Sequence, residues 1–232
     1  MRDKKFFYDE FAGVFDKKMN KYDLFKRIGI VFDELLPENL QGIQLLDAGC
    51  GTGWFSREAV KRHASVVSLD VGCALLQQVE KKCASKKVAG DVLTLPFKNN
   101  SFDAVISTEV IEHTVDPQKA IVEMYRVLKP DGLLVLTTPN RTWYFSVCVA
   151  NFLGLRPYEG YENWVSWARL RNWFVERGFI IEAMKGFHVF PFIFPLSYPL
   201  LDYCDRFGET IGPGMLNIAI RARKKKGGAG DV

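Results

Sequence analysis

From Tyr22 onward the apolar residues Leu24, Phe25, Ile28, Val31, Phe32, Leu35 and Leu36 recur at the spacing of one helix face, and Pro37 ends the pattern. The spacing predicts an amphipathic helix ahead of the core. A short apolar run at 43–46 then meets Asp47 and the glycines Gly49, Gly51 and Gly53, after which Phe55, Ala59 and Val60 resume helical spacing. That order reads as strand, tight turn, helix. Residues 66–69 predict a second strand ending at Asp70, with Leu76, Val79 and Cys83 on the next helix and a brief third strand at 87–89 before Gly90-Asp91. Residues 102–107 are a fourth strand. Asp116 is placed to cap a helix that opens on Pro117, buries Ala120, Ile121, Met124, Tyr125 and Leu128, and ends at Lys129-Pro130. Residues 132–138 form a fifth, nearly continuous apolar strand.

Apolar strands alternating with helices of this length are expected to form a parallel sheet covered on both faces. The fold class is therefore α/β, a doubly wound, Rossmann-like, mostly parallel sheet. Beyond it, 143–155 is aromatic and uncharged, and Ser166 caps a helix that carries Leu170, Trp173 and Phe174 and ends at Gly178. Residues 179–183 and 215–220 are then expected to close the sheet as an antiparallel edge pair. One domain over 1–223 is expected, with an unstructured tail at 224–232.

Composition narrows the partners. The chain has 232 residues, 48% of them hydrophobic, enough for one sizeable core. Its net charge is +4, of which the last nine residues hold half, so the body lacks the basic stripe of a nucleic-acid binder. Five cysteines (Cys50, Cys73, Cys83, Cys148, Cys204) without a C-x-x-C pair indicate neither a disulfide framework nor a zinc site, and no metal is expected. Acidic residues interrupt the amino-terminal region where a signal peptide needs an apolar run, and prolines break the uncharged stretch 186–201. A cytoplasmic protein without a spanning segment is expected.

Ligands of such sheets bind outside the carboxyl ends of the strands. The polar residues there are Asp47, Asp70, Asp91 and Ser107-Thr108-Glu109. Asp70 lies 21 residues beyond Gly49, the distance at which an acid ending the second strand meets ribose hydroxyls. The dinucleotide fingerprint G-x-G-x-x-G fails at its third glycine, where Trp54 or Ser56 stands. Four acids around one pocket repel a pyrophosphate and suit a ligand with a ribose diol, an ammonium and a sulfonium.

The run Leu45-Leu46-Asp47-Ala48-Gly49-Cys50-Gly51-Thr52-Gly53 resembles the first motif of class I S-adenosylmethionine-dependent methyltransferases. Gly90-Asp91-Val92 with Leu95-Pro96-Phe97, Phe102-Asp103-Ala104-Val105, Glu109-Val110-Ile111-Glu112-His113 and Leu128-Lys129-Pro130-Asp131-Gly132 resemble the later motifs in order and spacing. The likeness covers roughly 40–140 and is nearest to the small-molecule branch with the ubiquinone- and menaquinone-biosynthesis enzymes. It implies that Gly49, Gly51 and Gly53 form the turn around the methionine end, with Asp47 supporting its amino group. Asp70 and the adjacent Val71 would meet the ribose, Asp91 and the Val92 amide the adenine, and the Thr108 carbonyl the methionine end. Residues 41–140 are then the cofactor-binding core, 1–40 leading helices that form a lid, and 141–223 the substrate side.

His113, beside the methyl-donor end, is the candidate general base, weighed against simple packing with Glu112. His63 and His188 read as structural or superficial. Tyr8 and Phe15 lie in a leading segment that resembles the family's lid helix, and Tyr8 is the second candidate to touch cofactor or acceptor. Aromatic residues at 143–145, 158–167 and 187–203 are read as core, as an acceptor pocket or as a patch for a membrane surface or partner, with Arg141, Arg156 and Arg169 among them. The expected function is methyl transfer from S-adenosylmethionine to a small-molecule or lipid-like acceptor, at oxygen, by a monomer or homodimer. Rival readings are a protein or RNA methyltransferase, a non-catalytic S-adenosylmethionine-binding module and a nicotinamide oxidoreductase.

Overall fold

The computed structural model describes Asp9 and residues 12–152 and 160–226. Seven strands form one sheet in the order β3-β2-β1-β4-β5-β7-β6. They are β1 (Gln44–Ala48), β2 (Ser65–Asp70), β3 (Lys86–Ala89), β4 (Phe102–Thr108), β5 (Leu128–Pro139), β6 (Phe179–Phe187) and β7 (Asn217–Lys224). The first five pair in parallel, and β7 runs antiparallel to both β5 and β6. The expected class is what is seen, down to the antiparallel pair at the carboxyl end.

Successive residues on a strand point to opposite faces, so a strand buried on both sides reads as an unbroken apolar run. Leu46, Val105, Leu134 and Leu136 accordingly pack with α5 (Pro117–Val127) and α7 (Trp167–Arg177), while Leu45, Ile106 and Val135 pack on the other face. That second layer is built by α2 (Lys21–Gly29), the segment after it, and α3 (Trp54–Lys61). The caps lie where the sequence puts them. Asp116 Oδ1 accepts from the Lys119 amide at 3.0 Å, Ser166 accepts from Arg169, and Gly178 ends α7 with φ +94°.

Several boundaries differ from expectation for identifiable reasons. The helix expected over 24–36 is α2 followed by a wider π-helical turn, Ile30–Leu35, closed by the Leu36 amide on the Val31 carbonyl. β5 begins at Leu128, directly on the last turn of α5. Residues 129–132 bulge opposite Asp103 before pairing resumes at Leu133, and Lys129 Nζ binds Asp103 at 2.8 Å. Lys224, expected to open a loose tail, instead ends β7 and is buried. Its ammonium donates to Asn100 Oδ1 (2.8 Å) and to the carbonyls of Tyr125 (3.1 Å) and Leu128 (2.8 Å), which fill its three donors. The expected tail from 227 on lies outside the described residues. His63 is exposed; His188 is not superficial but fully buried. Among the described residues no helix is long and apolar enough to cross a membrane.

Candidate functional site

The carboxyl ends of β1 to β4 open into a cavity of about 980 Å³. Its floor is the glycine turn. Gly49, Gly51 and Gly53 have φ of +81°, +52° and +86°, values that side chains rarely tolerate. The amides of Gly49 and Cys50 both donate to the Leu69 carbonyl, at 2.8 and 2.9 Å, which ties the turn to the end of β2. At Gly49 a Cβ would fall 2.5 Å from the Val110 side chain, so backbone must lie where a side chain cannot. Asp70 closes this part of the wall. Its Oδ2 accepts from the Gly51 amide and its Oδ1 from the Gly72 amide, each at 2.9 Å. Burial pushes its carboxyl up, against the pull of those two amides.

The leading segment folds over this floor. Asp16, after the first turn of α1 (Ala12–Lys18), accepts from Thr52 Oγ1 at 2.6 Å and Trp54 Nε1 at 3.0 Å, and pairs with Lys82 at 2.5 Å. Burial opposes its charge, and those three partners together hold its carboxyl below the usual range. Asp9 caps a helix that has no cap of its own. Its Oδ1 accepts from the Ala74 and Leu75 amides, at 2.7 and 3.1 Å, in the first turn of α4 (Cys73–Glu80).

The deeper end is built from α2 and the turn after β4. Arg27, from α2, is ion-paired with Asp23 on the same helix face and reaches the charges of Glu109 and Glu112. Burial raises both glutamates to about 7. At Glu109 the nearby Arg27 pulls down and Glu112 pushes up, and at Glu112 a hydrogen bond from Thr138 pulls down. Thr137 Oγ1 donates to Glu109 at 2.9 Å and Thr138 Oγ1 to Glu112 at 3.1 Å, so both acids are anchored to β5. His113 Nδ1 lies 3.0 Å from the Tyr161 carbonyl, and Nε2 lies 3.8 Å from Glu112. A carbonyl only accepts, so Nδ1 carries the proton and the lone pair is on Nε2. Behind Asp23, His188 Nε2 sits 3.2 Å from its Oδ1, while Asp205 accepts from the His188 amide at 2.7 Å.

The cavity gathers Gly49, Gly51, Asp70, Val71, Asp91, Val92, Thr108 and His113 in one wall. It sets Asp47 and Gly53 behind that wall. Asp47 accepts from Ser56 Oγ at 2.6 Å, at the head of a hydroxyl chain through Ser68 to Ser85, and burial first, then the nearby Asp70 charge, raise it to about 7. Gly53 opens α3, where a Cβ would meet Val79 at 3.0 Å. Both therefore shape the turn from beneath instead of joining the contact set. Tyr8 lies outside the described residues, as do Tyr158 and Arg156. Phe15 is in the wall, and Arg141 and Arg169 are exposed. The aromatic clusters divide three ways: Phe174, Phe179 and Phe187 are core, Tyr161, Trp164 and Phe192 line the cavity, and Phe145, Phe194 and Tyr203 face outward.

Spacing alone missed Asp9, Asp23, Arg27 and Glu112. Among the described residues the wall now holds six carboxyls, Asp9, Asp23, Asp70, Asp91, Glu109 and Glu112, against the single guanidinium of Arg27. The same residues gather no group of three metal-ligating side chains.

A doubly wound sheet whose first strand ends in a glycine turn and whose next two end in acids, with an acid-lined cavity at their carboxyl ends, is the architecture this chain shares with solved S-adenosylmethionine-dependent methyltransferases. Residues 46–136 match the model of the methyltransferase-domain family. The chain is 29% identical over 160 residues to a ubiquinone biosynthesis O-methyltransferase of Alkalilimnicola ehrlichii, covering 63% of this chain and 64% of that protein. With a ubiquinone/menaquinone biosynthesis C-methyltransferase of Ruegeria sp. the identity is 34% over 143 residues, 53% of this chain and 56% of the other. The chain thus spans less than two thirds of these relatives' length. A solved S-adenosylmethionine-dependent methyltransferase of Thermotoga maritima, described as a possible histamine N-methyltransferase, superposes with a TM-score of 0.68 at 18% identity. That superposition covers 94% of this chain and 98% of the other, and shows the shared fold.

Proposed function

We propose that this chain transfers the methyl group of S-adenosylmethionine to a small-molecule or lipid-like acceptor, with oxygen as the receiving atom. The observation that carries the reading is the charge of the cavity. Six carboxyls line the cavity against one guanidinium, and with Glu109 and Glu112 partly protonated at about pH 7 the acids that remain still favour a ligand that brings an ammonium and a sulfonium and oppose one that brings a pyrophosphate. When bound, S-adenosylmethionine supplies an electrophilic methyl group on a positively charged sulfur. The backbone of Gly49 and Gly51 and the Thr108 carbonyl hold its methionine end, Asp70 and Val71 its ribose, and Asp91 and Val92 its adenine.

His113 Nε2 would take the proton of an acceptor hydroxyl while the oxygen–methyl bond forms and the sulfonium's sulfur–methyl bond breaks, which leaves S-adenosylhomocysteine with an uncharged sulfur. Glu112 lies within reach of the imidazolium that results. Holding donor and acceptor in line is the larger contribution, because an oriented pair reacts as one molecule. The named activity of the ubiquinone-biosynthesis relative, an O-methyltransferase, is in keeping with oxygen. A reducing, cytoplasmic compartment suits five unpaired thiols.

Calorimetric titration of the purified protein with S-adenosylhomocysteine and, separately, with NAD tests the cofactor. Binding of the first alone is expected; binding of NAD alone overturns the reading. Once an acceptor is in hand, His113→Ala is expected to lower kcat about a hundredfold while moving S-adenosylhomocysteine affinity less than threefold. Full turnover in that variant removes the general-base role.

A further inference from the structure

The segment that leaves β6 carries its apolar residues on the wrong side for a core. Leu196, Leu200, Tyr203, Phe207 and Ile211 recur at intervals of four, three, four and four residues, which is the spacing of one helix face. They occupy the turn before α8 (Tyr198–Asp205), α8 itself, the turn after it at Phe207, and α9 (Gly208–Ile211), and all five are exposed, Leu196 by 97%. The opposite face, Leu201, Asp205 and Gly208, is the buried one, where Asp205 is hydrogen-bonded to the His188 amide and paired with Lys26 at 3.1 Å. A packed helix normally hides the stripe that this one displays.

The stripe is continuous with the entrance to the cavity. Ile193 lines the cavity and is 71% exposed, which marks it as part of the mouth, and Phe194 beside it is 70% exposed. On another side of the mouth, α6 (Tyr144–Phe152) contributes Ser146 and Val147 to the wall and turns Phe145 and Val149 outward. A basic turn adjoins the same patch. Asn20 Nδ2 donates to the Phe192 carbonyl at 3.5 Å and the Tyr22 ring stacks on Tyr198 at 3.7 Å, so the exposed Lys17 and Lys21 are within three residues along the chain of contacts with the segment that carries the stripe.

We propose that this face docks on an anionic lipid bilayer, with the stripe and the rim of the mouth in the acyl boundary and the lysines among the headgroups. Apolar residues beside lysines are the composition that lies in a membrane interface. A second protein seated on a patch that rims the mouth would close the route by which ligands enter. A bilayer there is itself the source of an apolar acceptor. The docking face rests on, and deepens, the lipid-like acceptor proposed above.

Co-sedimentation with vesicles tests it without cofactor or acceptor. The full chain is expected to bind vesicles of phosphatidylcholine mixed with phosphatidylglycerol, less in high salt, and to bind pure phosphatidylcholine weakly. Leu196→Glu with Leu200→Glu is expected to reduce partitioning at least about tenfold, and Lys17→Glu with Lys21→Glu about fivefold for each lysine. S-adenosylhomocysteine affinity is expected to be unchanged in every variant, which also reports that they fold. Wild-type protein that ignores both vesicles, or binding that survives the leucine substitutions, overturns the proposal. So does a dimer in sedimentation that Leu196→Glu dissolves, since the face is then a contact between copies. Vesicle binding by a protein that does not bind S-adenosylhomocysteine sinks the methyl-transfer reading instead and leaves the docking face standing.

Discussion

Both oxygens of Asp70 are engaged by backbone amides, those of Gly51 and Gly72, so the carboxylate proposed to meet the ribose also holds the glycine turn in shape. Two substitutions separate these tasks. Asp70→Asn keeps one acceptor oxygen at nearly the same volume, whereas Asp70→Ala leaves two buried amides without partners, at about 1 to 3 kcal/mol each. Both are expected to weaken S-adenosylhomocysteine binding at least tenfold in calorimetry, and the alanine variant, with two amides unpaired against one in the asparagine variant, to lose more Tm. Unchanged affinity in Asp70→Asn rejects the ribose role. The distance from Gly49 to Asp70 made this residue readable in the sequence, because a turn, a helix and a strand of ordinary length fix it. Glu109 and Glu112 were readable only as parts of a motif. That burial would bring both to about 7 depends on Thr137, Thr138 and Arg27, residues far away in the chain.

At the scale of elements, periodicity recovers what neighbours along the chain decide. The Asp116 and Ser166 caps and the Gly178 stop rest on contacts within a few residues, and they stand where the pattern puts them. The leading segment is different. α1 is short, and its tie to the floor is Asp16 reaching Thr52, Trp54 and Lys82, contacts between residues 36 to 66 positions apart that no local pattern records. Asp47 illustrates the converse: its position near the end of β1 is legible, but whether it faces a ligand or a hydroxyl chain depends on Ser56 and Ser68 packing beneath it. Asp16→Ala is expected to free α1, so that limited proteolysis cuts near Lys17 and Lys18 several times faster in the absence of ligand. Cleavage at the wild-type rate would mean that Asp16 is not the tie.

Over the whole molecule the buried acids set the response to pH. Asp47, Glu109 and Glu112 are raised to about 7 in the folded chain, so between about pH 5 and about pH 8 the unfolded chain has given up protons that the folded chain still holds. Stability is then full below the unfolded values and declines as pH rises through the folded ones. Asp16, Asp23 and Glu182, held low by their partners, are ionised in both states across that window and add no slope there; their contribution is lost only as pH falls through their folded values. Each unit of separation is about 1.4 kcal/mol, and in a chain of this size each kcal/mol moves Tm by about 2 to 4 °C. Tm is therefore expected to fall by more than about 5 °C from pH 5 to pH 8 in calorimetric scans. A flat or rising profile would show that these acids are ionised in the folded protein. A positively charged ligand favours the ionised acids, so S-adenosylmethionine should gain on the uncharged-sulfur S-adenosylhomocysteine over the same rise in pH.

The place of β7 bears on how the chain comes to fold during its synthesis. It is the last strand to be made, yet it lies between β5 and β6 and is the one strand that β6 pairs with. Until residues 217–224 have left the ribosome, β5 keeps an open edge and β6 has no neighbour. Lys224 cannot reach the carbonyls of Tyr125 and Leu128 that it bridges in the finished protein. The nascent chain thus carries an unfinished sheet, with an edge open to wrong partners, until those residues are made. It completes its architecture only when the final strand slides into the gap left for it.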